Sequence, residues 1–464
     1  KLIFMEYEEF DNNKSLSLTR FEKMLKTNRI LFFDSNEFEN IISYYLENGK
    51  INFAKKAIKL GLEQHPDSSN LALFEIEILI FENKLDNAEK LLEALILSEP
   101  SNEEVYIQKA NIYSKKKLHQ KAILCLNKIL DFNPDNAEVY SLIGIEYLFM
   151  EDFENAKFNF IKCLNYDDSD YSALYNIVYC FEILEQNNKA IEYLNTYLNT
   201  NPYCEVAWHQ LGKQYLFFKN YAKAISAFDF AIISDEYFIG AYIEKGRALE
   251  KINKYNEAIE NYKLIIALKD ESSYPLLRMG ICYNKISNYK KAIQNLNDCI
   301  QVDPQLNKAW YLLAEIYYKN QKYNSAILSI KKALDINSEK EDYWKLYAKI
   351  NIGLKLYEEA DIGFQKVIEL GEADESIWLA KVDTLIKLGE YNYAIDILEK
   401  CYELFEDKSI ILYRFSGIYF LQNKIEDGIV QLKKAISVNK KNKYIFKELF
   451  GVIAKYKYLE KILK

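Results

Sequence analysis

The residue types most often used in catalysis and metal binding are few in this chain and lie far apart. Seven of the 464 residues are Cys and three are His. The cysteines form no Cys-x-x-Cys pair, and the histidines lack the spacing of four that places two imidazoles on one helix face. The sequence therefore predicts no metal, no cofactor and no disulfide framework. These residues are Cys125, Cys163, Cys180, Cys204, Cys282, Cys299, Cys401, His65, His119 and His209.

The motifs of common enzyme classes are also missing. The sequence has no GxGxxG nucleotide fingerprint, no GxxxxGK[ST] phosphate loop and no GxSxG nucleophile elbow. Among the histidines, only His209 is expected on an exposed inner surface, and no acidic partner is placed for it. We therefore predict no catalytic residues and a protein that is not an enzyme.

The composition is that of a folded, helical protein. Lys and Arg number 60 and Asp and Glu 68, half of the residues are apolar, and only 14 Gly and 6 Pro occur. The formal charge of −8 argues against a general nucleic-acid binder. No apolar run approaches the roughly 18 residues of a membrane span, and the acidic start predicts no secretory signal. We expect a cytoplasmic protein without membrane insertion; whether Met5 is the native start stays open.

One period of 34 residues organises the chain. When Ser35 is counted as position 1, position 20 of twelve successive repeats is Ala eleven times and Gly once, without insertions from residue 35 to 442. All four Trp fall at position 4, five of the six Pro at position 32, and Tyr fills position 17 in six consecutive repeats. The position-20 residues are Ala54, Ala88, Ala122, Ala156, Ala190, Ala224, Ala258, Ala292, Ala326, Ala360, Ala394 and Gly428.

This pattern resembles the tetratricopeptide repeat (TPR) family, whose signature is W-x₂-L-G-x₂-Y…A-x₃-F…P. One repeat carries that signature except at the Pro position, where Glu236 stands. It reads Trp208, Leu211, Gly212, Tyr215, Ala224 and Phe228. Pentatricopeptide RNA-binding arrays are the nearest confusable family and match the Trp, Gly, Ala and Pro positions less well. Within that family, the chain resembles a long cytoplasmic TPR protein of bacterial type.

The resemblance implies an all-α fold, a right-handed superhelical α-solenoid of about twelve 34-residue helical hairpins with terminal caps. We expect an N-terminal capping segment over residues 1–34, twelve TPR hairpins over 35–442 and a C-terminal capping helix over 443–464. Small residues at positions 8 and 20 should let helices A and B of each hairpin approach closely. Most Tyr and Cys then fall at packing positions, so we interpret them as core residues and not as reactive groups.

The resemblance further implies a concave groove lined by positions 2, 5, 6, 9, 12 and 13 of helix A. Apolar residues at these positions predict a surface for an amphipathic or extended partner segment, unless the solenoid or the N-terminal cap buries them. The candidate apolar residues are Phe74, Phe81, Leu142, Ile145, Phe149, Tyr175, Tyr179 and Phe217.

A second set of groove positions is basic. It predicts a site for an acidic peptide or carboxylate, unless Glu244, Glu250 and Glu315 neutralise a solvated face. Arg247, Arg278 and Lys308 are expected to converge on one strip, with both Arg outside the packing positions. The candidate basic residues are Arg247, Lys251, Arg278, Lys285, Lys308, Lys319, Lys345 and Lys349.

The function predicted from these features is that of a non-enzymatic scaffold or adaptor that binds partner proteins or peptides in its groove. The alternative is a regulator that changes the compactness of its superhelix when a ligand binds and so controls a second protein. The partner, the pathway and the oligomeric state cannot be predicted from the residues.

Overall fold

The structure is a computed structural model that describes residues 16–27, 30–268, 272–371 and 374–463. Within these ranges the secondary structure consists of helices joined by turns, with no β-strand. Helix α1 spans residues 16–27, and twelve helical hairpins follow it. The fold class predicted from the repeat, an all-α array of helical hairpins, is therefore confirmed.

Each hairpin consists of a helix A followed by a helix B. The hairpins are α2 (Ser35–Glu47) with α3 (Ile51–Gln64), α4 (Ser69–Phe81) with α5 (Leu85–Ser98), α6 (Glu103–Lys115) with α7 (His119–Phe132), α8 (Ala137–Phe149) with α9 (Phe153–Tyr166), α10 (Tyr171–Ile183) with α11 (Asn187–Thr200), α12 (Glu205–Phe217) with α13 (Tyr221–Ser234), α14 (Ile239–Lys251) with α15 (Tyr255–Ala267), α16 (Ser273–Lys285) with α17 (Tyr289–Val302), α18 (Asn307–Lys319) with α19 (Tyr323–Ile336), α20 (Glu341–Gly353) with α21 (Tyr357–Glu369), α22 (Glu375–Leu388) with α23 (Tyr391–Leu404), and α24 (Lys408–Leu421) with α25 (Ile425–Asn439).

The chain divides into two compact units, Lys1–Gln214 and Tyr215–Lys464. We call them the first and the second compact unit. The same repeat positions recur in both, and each unit is described separately below.

The residue at position 20 lies where helices A and B of a hairpin meet. All eleven position-20 alanines are fully buried. On the facing helix A, position 8 is glycine in four repeats, and position 24 of helix B carries a larger side chain there. A Cβ on Gly144 would lie 2.8 Å from the Phe160 ring, and one on Gly246 would lie 2.5 Å from Tyr262. The glycine leaves space beside helix A, and the larger side chain of helix B fills it. The two helices can therefore approach closely.

Successive hairpins are tied together by the aromatic residue at position 4. Trp310 Nε1 donates a hydrogen bond to the carbonyl oxygen of Pro304, six residues earlier at position 32, over 3.1 Å. Equivalent bonds run from Tyr106 to Pro100 over 3.0 Å and from Trp344 to Ser338 over 2.8 Å. The aromatic and proline positions of the sequence thus form one contact, which fixes the turn between two hairpins.

The turn inside each hairpin uses a left-handed residue at position 15. Ten of these residues are not glycine and have φ between 56° and 61°. Hydrogen bonds close the end of helix A around them: Lys84 N donates to Leu79 O over 2.8 Å, and Asn83 N donates to Ile80 O over 3.2 Å. These bonds offset the roughly 1 kcal/mol that a side chain costs in this conformation. The left-handed residues are Gly49, Asn83, Lys117, Glu151, Glu185, Lys219, Asn253, Ser287, Gln321, Lys355, Gly389 and Asn423.

Helix α1 packs against the first hairpin. Phe21 and Met24 of α1 are buried against Phe33, Phe38 and other residues of one apolar cluster. Asp34 forms a capping box with Glu37 at the start of α2. Residues 1–15, including Met5, lie outside the described residues.

The C-terminal region differs from the single capping helix expected over 443–464. A 3₁₀ turn (Lys440–Asn442) is followed by three short helices, α26 (Lys443–Leu449), α27 (Gly451–Ala454) and α28 (Lys457–Leu463). The helix ends because Phe450 takes a non-helical conformation (φ −123°, ψ 38°) and packs its ring against Gly417 of α24. This turn of the chain allows Leu459 and Leu463 to be buried as well.

Two glycine-to-alanine substitutions in the second compact unit test the close approach of helices A and B. Gly246→Ala should lower the free energy of unfolding by about 1–2 kcal/mol, because the new methyl overlaps the Tyr262 ring and outweighs the better helix propensity of alanine. Gly451→Ala should leave stability unchanged or raise it, because no atom lies within 4 Å of its Cβ position. Denaturant unfolding of both variants decides the matter. Equal stabilities would show that position 8 is not the tight contact.

Candidate functional site

The predicted basic surface lies on helices A of the second compact unit, α14, α16, α18 and α20. Six of its eight residues are exposed, among them Lys251, Lys285, Lys308 and Lys349. None of these four lies within ion-pair distance of a carboxylate in the part of the chain that the structure describes. Lys251 and Lys285 also occupy the last turns of α14 and α16, where a cation is favoured by the helix dipole.

Three further cations of this surface are paired with carboxylates of their own helix. Arg247 Nη1 lies 2.8 Å from Glu244 Oε1, and Lys319 Nζ lies 2.6 Å from Glu315 Oε1. Lys345 Nζ lies 3.6 Å from Glu341 Oε2. The Arg247 and Lys319 pairs each involve an exposed cation, and such pairs contribute less than about 1 kcal/mol and can be exchanged for a ligand carboxylate.

Arg278 belongs to a half-buried network with Glu250 and Tyr262. Its Nε and Nη2 donate to Oε1 and Oε2 of Glu250 over 2.9 and 2.7 Å, and Tyr262 Oη donates to Glu250 Oε1 over 2.7 Å. The Arg278 and Glu250 side chains are 22% and 10% exposed. The expectation that Arg278 lies outside the packing positions is therefore wrong. Tyr262 fills the space beside Gly246 and donates a hydrogen bond to Glu250. The nearly buried Glu250 carboxylate needs a cation, and Arg278 supplies it.

Arg247 and Arg278 both act electrostatically on one tyrosine of α16, Tyr274. Burial raises the pKa of the Tyr274 phenol, and the guanidinium groups of Arg278 and Arg247 oppose that rise. The ring of Tyr274 also packs edge-on to Tyr262, with centroids 6.4 Å apart. Lys308 is exposed on α18, and no contact joins it to this cluster in the described residues.

The predicted apolar surface separates into half-buried and exposed residues. Phe74, Leu142 and Ile145 are half-buried, and the first two pack against neighbouring core clusters. The exposed ones are Phe81, Phe149, Tyr175 and Tyr179 in the first compact unit and Phe217 in the second. The sequence interpretation missed Tyr171 and Ile183, which are exposed on the same helix as Tyr175 and Tyr179. Their spacing of four along α10 was the signal that could have revealed them.

The histidines and cysteines occupy structural sites. His119 Nδ1 lies 2.8 Å from Oε2 of the buried Glu146. His209 is half-buried, contrary to the exposed inner position expected for it, and burial with the nearby Lys213 lowers its pKa to about 4. Six cysteines are buried, and burial raises the pKa of the Cys163 thiol to about 12. A neutral thiol of this kind is a poor nucleophile.

Two polar pairs replace the usual aromatic and apolar residues between neighbouring hairpins. Position 17 is His119 or Asn187 only where position 10 of the next repeat is Glu146 or Gln214. Asn187 Nδ2 donates to Gln214 Oε1 over 3.1 Å, and Gln214 Nε2 donates to Glu182 Oε1 over 2.7 Å. These buried groups are satisfied in pairs, which explains why both members depart from the repeat pattern together.

No group of three or more His, Cys, Asp or Glu side chains is arranged to hold a metal ion in the described ranges. Among the described helices, none is long and apolar enough to cross a bilayer.

The Arg278 network makes a direct prediction about stability. Arg278→Met should lower the free energy of unfolding by roughly 1–3 kcal/mol, because Glu250 would lose its bidentate partner in a nearly buried position. Arg247→Met, at an exposed pair, should change it by no more than about 0.5 kcal/mol. Denaturant unfolding and hydrogen exchange of α14 to α16 measure both effects. A variant of Arg278 as stable as wild type would contradict the network.

Several stretches of the chain match models of known families. Residues 79–144 match one tetratricopeptide repeat model, and residues 137–170, 239–271 and 375–408 match another. Residues 285–367 match the model described as anaphase-promoting complex, cyclosome, subunit 3.

One curated protein also matches part of the chain. The chain is 24% identical over 174 residues to anaphase-promoting complex subunit 3 of Schizosaccharomyces pombe. This match covers 38% of the chain and 26% of the relative's length, so the chain spans about a quarter of that protein.

Solved structures with TM-scores of 0.36 include a tetratricopeptide repeat protein from Parabacteroides merdae and the APC/C hetero-tetramer Cut9-Hcn1. The first is 18% identical and covers 57% of this chain and 98% of its own. The second is 13% identical and covers 99% of this chain and 95% of its own. With the 34-residue period and the hairpins it produces, the family matches identify the chain as a member of the tetratricopeptide repeat family.

Proposed function

We propose that the protein is a non-enzymatic interaction scaffold whose second compact unit binds an acidic segment of a partner protein. The observation that carries this proposal is a set of four exposed lysines that have no carboxylate partner among the described residues, Lys251, Lys285, Lys308 and Lys349. Three neighbouring cations, Arg247, Lys319 and Lys345, pair with carboxylates of their own helices. Arg278 is not part of the binding surface, because its hydrogen bonds are committed to Glu250.

The local charge supports an acidic partner. Residues 239–353 contain 18 Lys and Arg against 13 Asp and Glu, a formal +5 within a chain of formal charge −8. An acidic segment would relieve repulsion among the lysines and gain charge-assisted hydrogen bonds. Tyr274 and Tyr311 lie on the same helices A, half-buried, and offer apolar contact beside the cations.

The comparisons favour a more specific version of this scaffold. The curated relative is by name a subunit of the anaphase-promoting complex, and the match to the model of that subunit falls on residues 285–367, which overlap the basic region. We therefore propose, as a second candidate, that this chain is one subunit of a larger protein assembly. Its isolation from native extracts in a complex of defined composition, lost when the basic surface is reversed, would support that candidate. Recovery of the chain alone would contradict it.

The change in molecular shape on ligand binding distinguishes the regulator alternative from the scaffold. A ligand-responsive regulator should change its radius of gyration when the acidic segment binds, whereas a scaffold should keep it. Small-angle scattering of the protein with and without the peptide described below separates the two. The cytoplasmic location stays a prediction from the sequence.

Reversal of two exposed lysines tests the acidic-segment proposal. Lys285→Glu combined with Lys308→Glu should weaken binding of a labelled Glu- and Asp-rich peptide of about 16 residues by at least about tenfold. Wild-type affinity should also fall as salt rises, because the attraction is between exposed charges. Fluorescence anisotropy across a salt series measures both effects.

The matched control is Lys290→Glu combined with Lys332→Glu. These lysines are exposed on helices B of the same region, α17 and α19, and the change in net charge is identical. The control should bind within about twofold of wild type, since position and not net charge decides the affinity. Equal losses in both double variants would reduce the effect to net charge and contradict a specific surface on helices A.

A further inference from the structure

Helix α10 in the first compact unit carries a continuous apolar stripe that faces solvent. Tyr171, Tyr175, Tyr179 and Ile183 follow one another at intervals of four, so they lie along one face from the first residue of the helix to the last. Each is between 40% and 47% exposed. We call these four residues the tyrosine stripe. An exposed row of this length on one helix differs from singly scattered apolar residues, which need no explanation.

The other helices A of the first compact unit lack such a row. At the same four repeat positions α6 has Glu103, Ile107, Asn111 and Lys115, and α8 has Ala137, Ser141, Ile145 and Phe149. The stripe is thus a feature of one hairpin and not of the repeat pattern.

Further aromatic residues adjoin the C-terminal end of the stripe. Phe153, the first residue of α9, packs edge-on to Tyr179 with ring centroids 6.2 Å apart. On the other side of the α8–α9 turn, Phe149 is 61% exposed and lies beside His119, with centroids 5.4 Å apart. The aromatic surface therefore extends beyond α10 onto the turn of the preceding hairpin.

The charge around the stripe is strongly negative. Residues 137–205 contain twelve Asp and Glu but only three Lys and no Arg, a formal −9. Because the whole chain carries −8, all remaining residues together carry +1. The three lysines, Lys157, Lys162 and Lys189, lie on helices B, α9 and α11, and not on α10.

Two carboxylates mark the ends of the stripe. Burial raises the pKa of Tyr171 and of Tyr175, and the next contribution in both cases is the negative charge of Glu205. At the other end, the exposed Glu182 precedes Ile183 and accepts a hydrogen bond from Gln214. A ligand along the stripe would therefore meet apolar rings in the middle and acidic groups at both ends.

We infer that the tyrosine stripe and its flanking carboxylates bind a partner segment that is apolar on one face and rich in Lys or Arg along its edges. The apolar face covers the exposed rings, and the basic side chains reach Glu205 and Glu182 or lie over tyrosine faces. This surface goes beyond the proposed function, because it lies in the other compact unit and selects the opposite charge. A scaffold with both surfaces would hold two chemically different partners at once.

A pair of synthetic helical peptides tests this inference. The first carries Leu at every fourth position with Lys at its flanks, and the second carries Glu at the flanks instead. Wild-type protein should bind the Lys peptide at least about tenfold more tightly than the Glu peptide in fluorescence anisotropy. Tyr175→Ser combined with Tyr179→Ser should weaken binding of the Lys peptide by at least about tenfold. Equal affinity for the two peptides, or unchanged binding by the double variant, would overturn the inference.

The control variant and the rival occupant are measured in the same series. Tyr237→Ser combined with Tyr444→Ser removes two exposed tyrosines from the second compact unit and should leave binding unchanged; an equal loss there would overturn the inference. Circular dichroism should show that both double variants keep the wild-type helix content.

Sedimentation of the free protein tests a second copy as occupant, and a dimer that the Tyr175 and Tyr179 substitutions dissociate would overturn the inference. Lys285→Glu with Lys308→Glu should leave binding of the Lys peptide intact, so failure of one proposal is separable from failure of the other.

Discussion

The close packing of helix A against helix B at positions 8 and 20 is the contact on which the rest of the structure depends. Because position 20 is Ala or Gly in every repeat, helix B can approach helix A, and the side chain at position 24 fills whatever space position 8 leaves. The same geometry in successive hairpins places equal repeat positions side by side within each compact unit. A surface property is therefore built by substituting one position in neighbouring repeats, as with Lys251 and Lys285 at position 13.

The sequence was sufficient to predict the helical hairpins, because a strict period with a small residue at the crossing admits few other folds. It was insufficient wherever two side chains compensate each other across a distance. Arg278 looks like a surface cation until Glu250 and Tyr262 are seen to meet it. The left-handed turn residues were equally hidden, since Lys117 or Glu185 carries no glycine signal for such a turn. The end of the helix at Phe450 depends on its contact with Gly417, thirty-three residues earlier in the chain.

Charge distribution distinguishes the two compact units more clearly than any single residue does. The acidic segment 137–205, of formal charge −9, and the basic segment 239–353, of formal charge +5, partly cancel within the overall charge of −8. Counted for the whole chain, these charges suggest only a mildly acidic protein. On the hairpins, these charged residues form two surfaces. One is the tyrosine stripe flanked by carboxylates, and the other is a set of exposed lysines on helices A of the second compact unit. Two surfaces of opposite preference suit a scaffold, because each can select its own partner without competing for the other.

Hydrogen exchange of the full chain in the presence of the acidic peptide and, separately, of the Lys-flanked peptide tests the account most directly. The account predicts two footprints that do not overlap: protection of helices A from α14 to α20 by the acidic peptide, and protection of α10 with the α8–α9 turn by the Lys-flanked peptide. One shared footprint, or protection spread evenly over both compact units, would contradict the claim that the chain carries two distinct binding surfaces.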